Sequence, residues 1–132
     1  MPQIDLNTPG GSKKIADILE RRIIDLKRIA TIELYRQITI STPVDTGRAR
    51  AGWLITVNAP SEEVPPEGKY TYSARLPNVP AVTINDRYFI TNNVPYIGRL
   101  NEGYSEQAPA RFVELAAAKT GALMNETWRV VK

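Results

Sequence analysis

From Lys13 to Ile40 the chain contains neither glycine nor proline, although it holds eight glycines and ten prolines elsewhere. With Ser12 placed to accept from the first free backbone N–H groups, so long an uninterrupted run predicts one helix of ~40 Å at 1.5 Å per residue. It must stop before Pro43, whose ring disfavours helical geometry in the preceding residue and removes a backbone donor. Any fold for this chain has to be built along that rod.

At about 100° per residue, Ile15, Ile18, Leu19, Ile23, Leu26, Ile29, Ala30 and Leu34 fall on one broad stripe, which predicts the core-facing side. Ile24, Ile32 and Tyr35 fall on the other side. Clustered apolar groups there mark a candidate subunit contact, against the blander reading of scattered surface apolar residues. Glu33 lies near the middle of the main stripe, so it calls for an ion partner or a local bend.

After Pro43, Asp45-Thr46-Gly47 predicts a turn, because Asp accepts from backbone N–H groups two residues on and Gly tolerates positive φ. Residues 51–58, with Trp53, Leu54, Ile55 and Val57, read as a strand. Residues 81–84 and 87–91 read as two more, joined by a tight Asn85-Asp86 connection, so a meander of three or four antiparallel strands is expected. Residues 59–80 hold five of the ten prolines, and proline cannot donate to a ladder. Apart from a short edge piece at 70–74, this stretch predicts a long protruding loop with Pro65, Pro66, Tyr70 and Tyr72 available to a neighbour. Residues 95–102 predict a short helix with Tyr96, Ile97 and Leu100 inward, ended by Gly103. A final helix starts near Pro109 and turns Phe112, Leu115, Ala116, Leu123 and Ala122 towards the core. Residues 128–131 fit a terminal strand or a continuation of that helix.

The predicted class is therefore α+β: a long N-terminal helix and a C-terminal helix packed on a small antiparallel sheet. Residues 1–11, with Pro2, Pro9, Gly10 and Gly11, read as an extended arm, and residues 12–132 as a single domain. A chain of 132 residues can bury roughly two thirds of its unfolded surface in one core. It has no Cys and no His, which removes disulfides, thiolate nucleophiles, Cys/His zinc sites and the usual neutral-pH general base. No cofactor or metal is expected, and no enzymatic activity. No apolar stretch approaches the ~18 residues of a membrane span and the start lacks a signal-peptide pattern, so residence in the cytoplasm until assembly is expected. The net charge of +3 sits in the first fifty residues, with nine Lys/Arg against six Asp/Glu. That excess is too small to make a nucleic-acid binder by electrostatics alone.

Two phrases stand out between the elements: Pro43-Val44-Asp45-Thr46-Gly47-Arg48-Ala49-Arg50, and Asn93-Val94-Pro95-Tyr96 running to Glu102-Gly103, followed by Ala108-Pro109-Ala110-Arg111-Phe112. In this order, with a helix before the first and a helix after the last, residues 12 to about 124 resemble the small neck and tail-completion proteins of tailed bacteriophages. The resemblance implies a structural virion protein that forms a ring, six- or twelve-fold, between the DNA-filled head and the tail. It implies head-completion or portal-side proteins on one side, tail-terminator or tail-tube proteins on the other, and DNA passing through the lumen without sequence recognition. It implies no membrane partner. Asp45, Thr46, Gly47, Arg50, Tyr96, Glu102 and Gly103 would then be turn-forming and structural residues, with Arg50 paired to Asp45 or Glu102. Arg48 is a candidate for the lumen.

Other readings compete. A tail terminator capping the tail tube has similar size and symmetry, and a small nucleic-acid-binding protein would show strong salt-dependent affinity for duplex DNA. Asp45-Thr46-Gly47 also matches the aspartic-protease triplet, but that needs an all-β fold with two Asp carboxylates sharing a proton, and here a long helix precedes the triplet. Gly10-Gly11-Ser12-Lys13 lacks the upstream glycine and strand of a phosphate loop. Asn125-Glu126-Thr127 fits a glycosylation sequon, which without a secretion signal is chance.

Overall fold

The computed structural model describes residues 7–44, 47–70, 78–103 and 110–131, with side chains through Asn125. Within them the order is α1 (Pro9–Ser41), α2 (Arg48–Ala51), β1 (Trp53–Val57), β2 (Tyr88–Asn92), α3 (Ile97–Asn101) and α4 (Phe112–Val131). The fold is α+β, with α1 packed chiefly on α4 and touching both strands and α2.

The long helix starts earlier than its Gly-free run suggests. Thr8, not Ser12, is the N-cap: its Oγ1 accepts from the Gly11 N–H at 3.1 Å, and Pro9 takes the first helical position, where its missing donor is no loss. Residues 9–11, expected in an extended arm, are therefore helical, while 1–6 lie outside the described residues. At the other end Thr42 closes the helix before Pro43, its N–H bonded to the carbonyls of Ile38 and Thr39.

The helix presents to the core the side roughly opposite to the one its large aliphatics mark. Thr31, Ile38, Thr39 and Thr42 are buried and Tyr35 packs against the core, whereas Ile18, Leu19, Ile23, Ile29 and Ile40 are exposed. The cause is chemical. Each buried threonine donates its hydroxyl to the carbonyl one turn back: Thr31 to Lys27 at 2.8 Å, Thr39 to Tyr35 at 2.6 Å and Thr42 to Ile38 at 2.7 Å. With its polar group satisfied inside its own helix, such a threonine buries much as a valine does. Buried Thr120 of α4 does the same, donating to Ala116 at 2.9 Å.

The core cluster is Ile38, Trp53, Phe112 and Ala116, surrounded by Leu34, Tyr35, Ile90, Ile97, Leu100 and Val113. Phe112 alone, 1 % exposed, accounts for roughly 1.5–3 kcal/mol of transfer free energy. Leu115 and Leu123, expected inside, are exposed, because α4 turns Phe112, Ala116 and Thr120 inward. Residues 128–131 continue the helix.

The sheet is smaller than the expected meander. β1 and β2 pair antiparallel, Trp53 opposite Asn92 and Val57 opposite Tyr88, with no third strand among the described residues. Residues 81–84 form no strand. The turn falls one residue earlier than expected, with Ile84 and Asn85 at its centre, and it uses the backbone a strand would need: the Asp86 N–H donates to the Thr83 carbonyl at 3.2 Å, and the Thr83 N–H donates to the Asp86 carboxylate at 2.7 Å.

Candidate functional site

Two features of the surface bear on function: the junction after α1, and the outward face of α1. At the junction, Gly47 has φ 84° and opens α2. A Cβ there would strike the Tyr70 carbonyl oxygen, so both the backbone conformation and the space demand glycine. Asp45 and Thr46 lie outside the described residues. One residue past α2, Gly52 is needed for a different reason, since its Cβ would come within 2.8 Å of the Asn92 Oδ1. That oxygen accepts from Val94 N–H at 3.0 Å, and the Asn92 amide donates to the Ala49 carbonyl at 2.7 Å, so α2 is tied to the end of β2.

The two arginines of the first phrase serve the subunit itself. Arg50 donates to the carbonyls of Ile40 and Thr42, both at 3.0 Å, and so satisfies carbonyls at the end of α1. Of the two carboxylates expected beside it, Asp45 lies outside the described residues. Glu102 instead stands exposed as the C-cap of α3, before Gly103 at φ 96°. Arg48, a lumen candidate from the sequence, is half-buried and donates twice to the Pro65 carbonyl, at 3.0 and 2.8 Å, with its guanidinium 6.0 Å from the Tyr96 ring centre. Planar bidentate donation suits guanidinium and not ammonium.

Arg48 also corrects the picture of the proline-rich segment. Its described part is laid back on the subunit: Arg48 holds Pro65, and the Asn93 amide donates to the carbonyls of Ser61 at 2.6 Å and Glu63 at 3.1 Å. Pro66 is exposed, and its carbonyl accepts from the hydroxyl of half-buried Tyr70. Tyr72 and the rest of 71–77 lie outside the described residues.

Asn101, which the sequence did not single out, joins the second phrase to α4. Its Oδ1 accepts from the Val113 N–H at 3.0 Å and its amide donates to both Glu114 carboxylate oxygens, at 3.1 and 3.0 Å. The Glu114 carboxyl is held below its ordinary range by the backbone N–H at the helix start, then by Asn101 and by the charge of Arg111. The Asn101-to-Val113 separation hides this cap from local pattern rules, which look within four residues. Pro109, expected to open the helix, is outside the described residues; α4 begins at Phe112 after Arg111 at φ 60°.

The outward face of α1 carries Ile18 (51 % exposed), Leu19 (58 %), Ile23, Ile29 and Ile40 (56 %), continued by half-buried Ile15 and Leu26. Among the described residues this side of α1, and not the Ile24, Ile32 and Tyr35 side, carries the exposed large aliphatics of the helix. Those three are half-buried on the inner and lateral parts of the helix, Tyr35 against the core. Glu33 lies in the outward face and has the ion partner its position called for: Arg36 donates to its Oε1 at 2.7 Å and Gln37 to the same oxygen at 3.1 Å. Its carboxyl is lowered, chiefly by Arg36.

No family model, curated protein or solved structure matches the chain. Among the described residues there is no group of three or more acidic side chains placed to hold a metal, and no helix long and apolar enough to cross a membrane. The α+β fold is not the all-β framework that the protease reading of Asp45-Thr46-Gly47 requires.

Proposed function

We propose that the protein is a structural subunit of a tailed-phage neck, one of several identical copies forming a ring that joins head to tail and lets DNA pass without reading its sequence. The observation that supports an assembly role is the outward face of α1. It holds five large exposed aliphatic side chains on a helix whose opposite side already closes the core. Isolated surface aliphatics need no explanation, but a row of them along one helix marks a surface that another molecule covers. The phrases behind the neck resemblance serve as clamps and caps here: Gly47, Arg48, Arg50 and Asn101 each fix one element to the next, as an adaptor that works by shape requires. Head-to-tail contacts between identical subunits close into a ring when the rotation permits.

The test is negative-stain imaging with mass photometry of the purified protein, alone and with tailless capsids and free tails. Rings at the capsid vertex are the expected result. Rings at the end of free tails would transfer the assignment to a tail terminator, and a protein that binds neither particle but binds duplex DNA with a steep salt dependence would overturn it.

A further inference from the structure

The outward face of α1 has a charge pattern that selects its own antiparallel copy. Along the centre of the stripe, in order, stand Ile15, Arg22, Leu26, Ile29, Glu33 and Ile40. The cation and the anion sit symmetrically about the Leu26–Ile29 midpoint, and Ile15 and Ile40 are symmetric about the same point. If two copies of α1 lie antiparallel across a two-fold axis there, Leu26 meets the partner's Ile29, Ile15 meets the partner's Ile40, and each Arg22 meets the partner's Glu33. A parallel pairing in the same register would set arginine against arginine and glutamate against glutamate, which is repulsive.

Glu33 fits this role. Both of its intrahelical bonds land on Oε1, leaving Oε2 to accept from another cation. Arg22 of the same helix cannot reach it, being three turns or ~16 Å away along the axis. We propose that the free protein is an antiparallel dimer through the outward face of α1, with Arg22 and Glu33 setting its direction and register. The proposal concerns the free protein in solution and does not rest on the neck reading; the two-fold contact would have to open before the same face met a neighbour in a ring. A strip of ~40 Å by ~10 Å on each copy buries ~800 Å² in total, below the ~1,200 Å² where stable interfaces begin, so the dimer is a weak one that should dissociate on dilution, on the order of micromolar concentrations or above.

The experiment uses full-length protein in sedimentation velocity across a dilution series, with circular dichroism to confirm that each variant keeps its helix content. Wild type is expected to shift from dimer to monomer on dilution. Arg22→Glu and Glu33→Arg should each weaken self-association at least tenfold. An equimolar mixture of the two should recover a dimer, because every Arg22–Glu33 contact across the mixed pair is again between opposite charges. As a second measurement, the chain's lack of cysteine allows Leu26→Cys and Ile29→Cys to be made separately and mixed under oxidation. The mixed disulfide should form in preference to either homodimer. A wild type that stays monomeric throughout, single variants that dimerise as wild type does, a mixture that fails to recover, or equal cross-linking of Leu26→Cys to itself would each overturn the proposal.

Discussion

At the scale of single residues, a buried chain of hydrogen bonds ties the sheet to α1: the Trp53 indole N–H donates to Thr42 Oγ1 at 2.8 Å, while that hydroxyl donates to the Ile38 carbonyl at 2.7 Å. Replacing Thr42 by Val keeps the shape and strands the indole donor. We expect a loss of about 1–3 kcal/mol in chemical denaturation. Asn101→Ala removes the cap of α4 and should lower stability by about 1 kcal/mol, with faster hydrogen exchange confined to the first turn of that helix. Residue-level roles were legible where the partner is near in sequence, as with Glu33 and Arg36, or where the backbone demands glycine, as at Gly47. They were not legible for the threonines of α1. A hydroxyl counts as polar in any pattern, and only the back-bond to the preceding turn makes it fit for the core.

Among the elements, α1, β1, α3 and α4 could be read from the run without Gly or Pro, the Trp53–Val57 cluster and the aliphatic periodicity after Pro95 and Pro109. The strand expected at 81–84 failed because alternation describes which residues suit a sheet, while pairing requires free backbone groups, and the Thr83–Asp86 turn consumes them. The described part of the proline-rich segment lies outside the sheet, and its attachment to Arg48 and Asn93 is long-range and leaves no local signature. Arg48→Ala should release residues 61–66 and speed proteolysis there several-fold at little change in helix content. Arg48→Lys should behave nearly as badly, since one ammonium cannot reproduce the fork on the Pro65 carbonyl.

For the whole molecule, the α+β class was legible but the orientation of its longest helix was not, because the side that packs inward is completed by threonines whose hydroxyls are satisfied within the helix. Three carboxyls, Glu33, Asp86 and Glu114, are all held below their ordinary values by hydrogen bonds, Asp86 chiefly by the Asn58 amide. A depressed folded-state value means the native state holds its proton less tightly than the unfolded chain. Their contribution is therefore complete above the unfolded carboxylate range and is lost as the pH falls through the lowered folded values. Urea midpoints should be flat near about pH 7 and decline below about pH 4. Asp86→Asn should flatten part of that decline.

The exposed aliphatic row on α1 also sets a dependence on temperature. Covering apolar surface near room temperature is driven by entropy and strengthens with warming. A sample kept on ice should therefore hold more single subunits than the same sample at 25 °C. Warming a chilled, dilute preparation should convert subunits into assemblies within the range where the fold itself is intact.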